Sequence, residues 1–204
     1  MINVFGTYFR VFLSPKNKGE SDEISYLEVM GVSWGFHFIS AMYSVLSIYL
    51  GVKSYEYISG SDTFSHMVLD RINFTAQKFM LMMILFQVIF YPFFFQFSYR
   101  FWKFILKFYA DIFESKATPE ELNDQVEDVI KTMFTPNIFL MIPVFGSVLS
   151  YLGQIYYLFV GLLSKMSFSR LQAFLVLLTP LFILFLLSIF VASYFFFIIS
   201  LLMS

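Results

Sequence analysis

The sequence has no cysteine and only two histidines, His37 and His66, in 204 residues. The first absence excludes disulfides, thiolate nucleophiles, cysteine lipidation and sulfur-ligated metal together. The second leaves too few imidazoles for a histidine-built metal site within one chain, so neither a metal nor a cofactor is expected. Charge is scarce as well: 13% of residues carry one, and the net charge of -1 offers nothing to a nucleic-acid backbone. No phosphate loop, no serine–histidine–carboxylate spacing and no carboxylate pair deep in an apolar helix can be read, so no enzyme is expected.

What remains is apolar. Hydrophobic residues make up 59% of the chain, 30 of them phenylalanine, and the mean hydropathy is +0.75. Several runs reach the ~20 residues that cross ~30 Å of hydrocarbon as a helix. They are continuous rather than alternating, which argues for helices and against a barrel. The fold class expected is all-α, a polytopic membrane helix bundle. Residues 1–25 form an N-terminal segment ahead of a membrane domain over 26–204. In the first of these, Arg10 sits inside MINVFGTYFRVFLSP with no basic region before it and no small-residue cleavage site after it. That pattern fits an amphipathic helix in the membrane interface with Arg10 snorkelling, and not a secretory signal.

The first span is expected over about 26–50. Gly31 and Gly35 form a GxxxG pair followed by Ser40, Ser44 and Ser47, small residues that permit close helix approach within the chain or in a dimer. A polar loop is expected from Gly51 to Asp62, with Asp62 as an N-cap, an amphipathic start including Phe64, Met67, Val68 and Ile72, and Asp70–Arg71 as a surface pair. The helix enters the membrane as a span over about 76–99, and Pro92, which removes one backbone donor within it, should kink it. Arg100, Lys103 and Lys107 then form a basic exit, where Arg100, Trp102 and Lys103 are candidates for contacting lipid headgroups.

Thr118-Pro119-Glu120-Glu121 reads as a capping box with proline at the first helical position. Seven of the fourteen acidic residues lie between Asp111 and Asp128, so this helix begins solvated and becomes apolar only after Lys131. The long run from Thr135 to Arg170 that follows is broken by Pro143 and Gly146. Taken as one span it gives four crossings; taken as two helices joined at Pro143–Gly146 it gives five. The five-span reading puts nine Lys and Arg on the cytoplasmic side and three outside, against eight and five for four spans. It is the expectation adopted, with further spans over about 124–143, 147–164 and 171–202. Gly146, Gly153 and Gly161 fall on one face and should let the returning helix pack closely on its predecessor. Pro136 should bend the entering helix, and Pro180 the last one.

Three segments resemble the Yip domain family, the Ypt/Rab-interacting five-span membrane proteins, and its bacterial members in particular. They are Phe12-Leu13-Ser14-Pro15-Lys16, Phe134-Thr135-Pro136 with Ile142-Pro143-Val144-Phe145-Gly146, and Tyr156 to Leu162 leading into Met166 to Ala173. The resemblance implies five spans, a role in membrane organisation or trafficking, and the bacterial inner membrane. The stretch before Tyr26 is shorter than the cytosolic region of eukaryotic members, so a Rab-type GTPase is not an expected partner.

Polar residues inside spans are functional candidates by default. Here they are His37, Gln87 and Gln154, with Gln96 beside them, and an interhelical hydrogen bond is the first expectation for His37. The leading expectation for function is a non-enzymatic membrane scaffold or accessory subunit, partnered by lipids and by another membrane protein or a second copy. The alternative is a small transporter or lipid-handling protein with a cavity near His37, Gln87 and Gln154. The N-terminus is expected in the cytoplasm and the C-terminus outside.

Overall fold

The computed structural model describes residues 2–16, 24–59, 74–114 and 117–203. The described residues are helical and contain no strand. In chain order they form α1 (Ile2–Leu13), α2 (Tyr26–Ser59), α3 (Phe74–Ile112), α4 (Pro119–Phe134), a 3₁₀ segment (Thr135–Met141), α5 (Gly146–Ser164) and α6 (Arg170–Met203). Four helical stretches are long and apolar enough to cross a membrane: Tyr26–Gly51, Phe79–Ile112, Gly146–Ser164 and Arg170–Ile199. The chain is thus an all-helical protein with the makings of an integral membrane protein. The acidic, 16-residue α4 is not among the four.

One boundary differs from expectation. α2 continues through Gly51 to Ser59, because a lone helical glycine costs only ~1 kcal/mol against alanine and cannot end an otherwise favourable helix. α3 runs unbroken through Pro92 and on to Ile112, so the basic exit is the same helix as the span. Asp62, the amphipathic start and the Asp70–Arg71 pair lie outside the described residues.

Three helices start with the same reciprocal cap. Thr118 accepts from the Glu121 amide while its own amide donates to Glu121, with Pro119 behind it. Ser25 and Glu28 do the same for α2, and Ser169 and Gln172 for α6. Each pair satisfies amides that the first helical turn leaves without partners. α5 starts differently: Phe145 gives no side-chain cap, and backbone carbonyls of Ile142 and Pro143 take the amides of Gly146 and Phe145.

Pro136 ends α4 as an α-helix and the chain tightens into the 3₁₀ segment. It then reverses over Ile142–Gly146, where Val144 adopts φ 68°. α5 returns antiparallel along α4. Its first residue meets Phe139 and Leu140, Ser150 and Gln154 meet Asn137, and Lys165 reaches Asp128. The glycine face makes this possible. A Cβ on Gly146 would run into the Phe139 carbonyl, one on Gly153 would sit 2.6 Å from Pro136 Cβ, and one on Gly161 would sit 3.2 Å from Val129 Cγ1. Gly31 and Gly35 have no such neighbour and are exposed.

The hairpin is pinned at its open end by a buried ion pair. Lys165 Nζ lies 2.9 Å from Asp128 Oδ2 and donates to Thr132 Oγ1 at 2.6 Å. Around it Leu106, Ala110, Val129, Ile130, Leu162 and Ala173 are fully buried, and this is where α3, α4, α5 and α6 meet. α1 tucks against α2 and the 3₁₀ segment, with Tyr8 and Val11 buried and Phe5, Phe9 and Leu13 exposed on its other side. Tyr157 closes the contact by donating to the Phe12 carbonyl at 2.6 Å.

α2 and α3 run antiparallel, with Trp34 opposite Val88 and Tyr26 stacked over Phe95 and Tyr99. α4 runs against α3, from Glu127 at Lys103 to Phe134 at Phe95. Because α5 runs against α4, α3 and α5 point the same way.

Candidate ligand cavity

Proline inside a helix frees the carbonyl four residues back. For Pro92 that carbonyl is Val88, and the Trp34 indole N–H donates to it at 2.8 Å. This bond fixes α2 against α3 at the level where His37, Tyr91 and Ser40 come together. The His37 ring packs on the Tyr91 ring at 4.0 Å between centroids.

Tyr91 belongs to a chain of hydrogen bonds that joins six elements. Asn137 of the 3₁₀ segment donates to the Tyr91 hydroxyl at 3.1 Å, and the Asn137 Oδ1 accepts from Ser150 at 2.9 Å and Gln154 at 2.8 Å on α5. Ser33 bonds the Tyr91 hydroxyl from α2 and lies 3.1 Å from the hydroxyl of Tyr8, which donates to the Phe134 carbonyl. Burial holds the Tyr8 phenol above its usual range, so it is a neutral donor at any working pH. Asn137 and Ser150 are each 2% exposed, and their polar atoms satisfy one another as buried groups must.

Above this network lies a cavity of about 440 Å³ between α2, α3, the 3₁₀ segment and α5. His37, Gln87 and Gln154 all line it. Its floor is the buried set Tyr91, Phe95, Phe134, Asn137 and Ser150. Its mouth is framed by exposed Ser44, Gln87, Phe94, Ser147 and Tyr151. A second cavity of about 200 Å³ shares Ser40, Ser44 and Ser147 with it and continues to Ile142, Pro143 and Val144 at the turn.

The structure thus brings together the three polar residues singled out in the sequence, but not in the role first expected for His37. Among the described residues no side chain hydrogen-bonds the His37 ring, which faces the cavity. Gln96 is not part of the lining. The residues that sequence reading missed are Asn137, Tyr91 and the Ser147/Ser150 pair. Ser150 and Gln154 are one helical turn apart, a signal that a search for polar stripes in apolar helices would have found.

The headgroup candidates fare differently. Lys103 is engaged within the chain, 2.6 Å from Glu127 Oε1 and 5.7 Å from the centre of the Tyr99 ring. Trp102 is half-buried and packs edge-on against Phe101, whereas Arg100 is exposed. The described residues hold no cluster of three or more potential metal ligands. In comparisons with known proteins, no family model, no curated protein and no solved structure matches the chain. The Yip-domain resemblance therefore rests on the three quoted segments alone.

Proposed function

We propose that this chain is a small transporter or lipid-handling membrane protein whose ligand occupies the cavity above Asn137. The observation that carries this reading is the convergence of His37, Gln87 and Gln154, from three helices, on one cavity with exposed hydroxyls at its mouth. Ligand sites combine apolar walls with a few polar groups whose hydrogen bonds are left to be made, and both are present here. The test is identification of small molecules and lipids retained on purification, for the native chain and for Ser147→Trp, which fills the mouth without touching the Asn137 network. A molecule held by the native chain and lost from the variant is expected; identical retention would remove the reading.

The scaffold reading is second. The glycines at which partner loss was anticipated, Gly153 and Gly161, are spent on packing α5 against α4 and the 3₁₀ segment. Only the exposed Gly31–Gly35 ridge favours it still, and cross-linking in native membranes tests it.

We read the membrane topology as five crossings, with α4 and the 3₁₀ segment together making the third. The support is directional. If α3 and α5 both cross, and point the same way, the chain between them has to travel back through the same depth. The charge distribution then puts the N-terminus in the cytoplasm and the C-terminus outside, with α1 lying in the interface. The Yip-like segments suggest a bacterial inner membrane. Cysteine at Ser169, labelled from the cytoplasm in this naturally cysteine-free chain, would agree with five crossings, and labelling from outside with four.

A further inference from the structure

We infer that the cavity takes an uncharged lipid with a hydroxyl headgroup, a diacylglycerol or a long-chain alcohol, which enters sideways from the bilayer. This rests on the cavity being a ligand site at all.

The charge class follows from the lining. Its polar lining consists of hydroxyls, amides and the His37 ring, and no Asp, Glu, Lys or Arg contributes. The buried Lys165 and the half-buried Lys103 are committed elsewhere, to Asp128 and Glu127. An ion brought into such a site would give up its hydration without meeting a counter-charge, which is prohibitive in a low-dielectric setting.

The headgroup class follows from which polar atoms are spent. Asn137 uses its oxygen and one amide hydrogen on Ser150, Gln154 and Tyr91. The Gln154 carbonyl, the Gln87 amide, the Ser40 and Ser147 hydroxyls and the His37 ring make no hydrogen bond among the described residues. They offer donors and acceptors within one small volume, which suits a group that both gives and takes a hydrogen bond. A hydroxyl does so; a bare ester or ketone only accepts.

The route follows from the mouth. Ser44, Gln87, Phe94, Ser147 and Tyr151 all lie within stretches apolar enough to span the membrane. A molecule arriving at this mouth comes from lipid, and its chains can remain there against the exposed Phe90, Phe94 and Leu152.

The experiment uses the full chain in nanodiscs doped with a photoactivatable, clickable diacylglycerol, or with phosphatidate carrying the same chains. Diacylglycerol is expected to label peptides around Gln87–Tyr91 and Asn137–Gln154 about tenfold more than phosphatidate, and Ser147→Trp to abolish that labelling. Gln87→Leu breaks no hydrogen bond among the described residues, so it should fold normally and still lower the labelling. Equal or stronger labelling of the same peptides by phosphatidate would overturn the headgroup class and leave the cavity reading standing. Labelling by neither lipid would overturn the inference; the cavity reading would then be decided by whether Ser147→Trp loses a retained molecule.

Discussion

Trp34→Phe should expose how much of the α2–α3 contact depends on one proline. The substitution keeps an aromatic ring against α3 and removes the indole N–H that donates to the Val88 carbonyl at 2.8 Å. Ordinary interhelical hydrogen bonds in membranes average only ~0.6 kcal/mol, because the separated helices find other partners. Val88 has no such alternative: its helical partner would be the amide of residue 92, which proline lacks. Leaving an acceptor unsatisfied costs about 1–3 kcal/mol, so the upper part of that range, about 2–3 kcal/mol, applies, roughly a 30–160-fold shift of the folding equilibrium. In a Pro92→Ala background the helix recovers its own donor and the same Trp34→Phe change should cost almost nothing. Reversible unfolding in mixed micelles, followed by helical circular dichroism, measures all four corners of the cycle. Any change in helix bend on replacing Pro92 enters both sides and cancels. A coupling energy within the ~0.3–0.5 kcal/mol scatter of additive sites would refute the reasoning.

Glycine-to-alanine changes should separate by contact, measured by the same unfolding. Gly153→Ala forces a methyl into the rigid Pro136 ring and should cost about 1–3 kcal/mol in overpacking, whereas Gly31→Ala meets nothing and should be neutral or favourable by up to ~1 kcal/mol. Lys165→Met removes the cation paired with Asp128 in the α4–α5 core and should cost about 3–5 kcal/mol, most of it recovered by adding Asp128→Leu. Thr118→Ala should destabilise the start of α4 by about 1 kcal/mol, seen as faster amide exchange in its first turn. The Glu121 carboxyl is held below its usual 4.5 by hydrogen bonds from the Thr118 backbone and hydroxyl. A depressed folded pKa gives stability that is present above the unfolded value and lost as pH falls through the folded one. First-turn protection should therefore weaken in that acid window in the native chain, and Glu121→Gln should flatten the dependence.

Local signals in the sequence carried much of this fold. Thr118-Pro119-Glu120-Glu121 specified a helix start that the structure realises in full, since every atom of a capping box lies within four residues. Pro143 and Gly146 likewise specified a reversal, and the glycine spacing specified which face would pack. Pro136 reads as a bend, but the 3₁₀ segment it opens is held by Asn137 bonding to Tyr91, Ser150 and Gln154. Those partners are 13 to 46 residues away in the chain, and no local pattern announces them. The same distance hid the role of Lys103, whose partner Glu127 is on another helix. Gly31 and Gly35 illustrate the converse: a small-residue spacing is equally compatible with a packed face and an exposed one, and here no described residue would meet a Cβ within 4 Å.

The three reciprocal caps all sit at one end of the bundle, where Lys131 reaches the Ile24 carbonyl and Lys165 reaches Asp128. Pushing α2, α4 or α6 one turn deeper would drag Ser25 and Glu28, Thr118 and Glu121, or Ser169 and Gln172 into hydrocarbon. That end therefore acts as a waterline, holding each helix against a piston-like slide. Away from that end α2, α3 and α6 run on as helices of 34, 39 and 34 residues, longer than a bilayer requires. Differences in membrane thickness would then be absorbed by tilt and wetting at the uncapped end alone, the end on which the cavity opens.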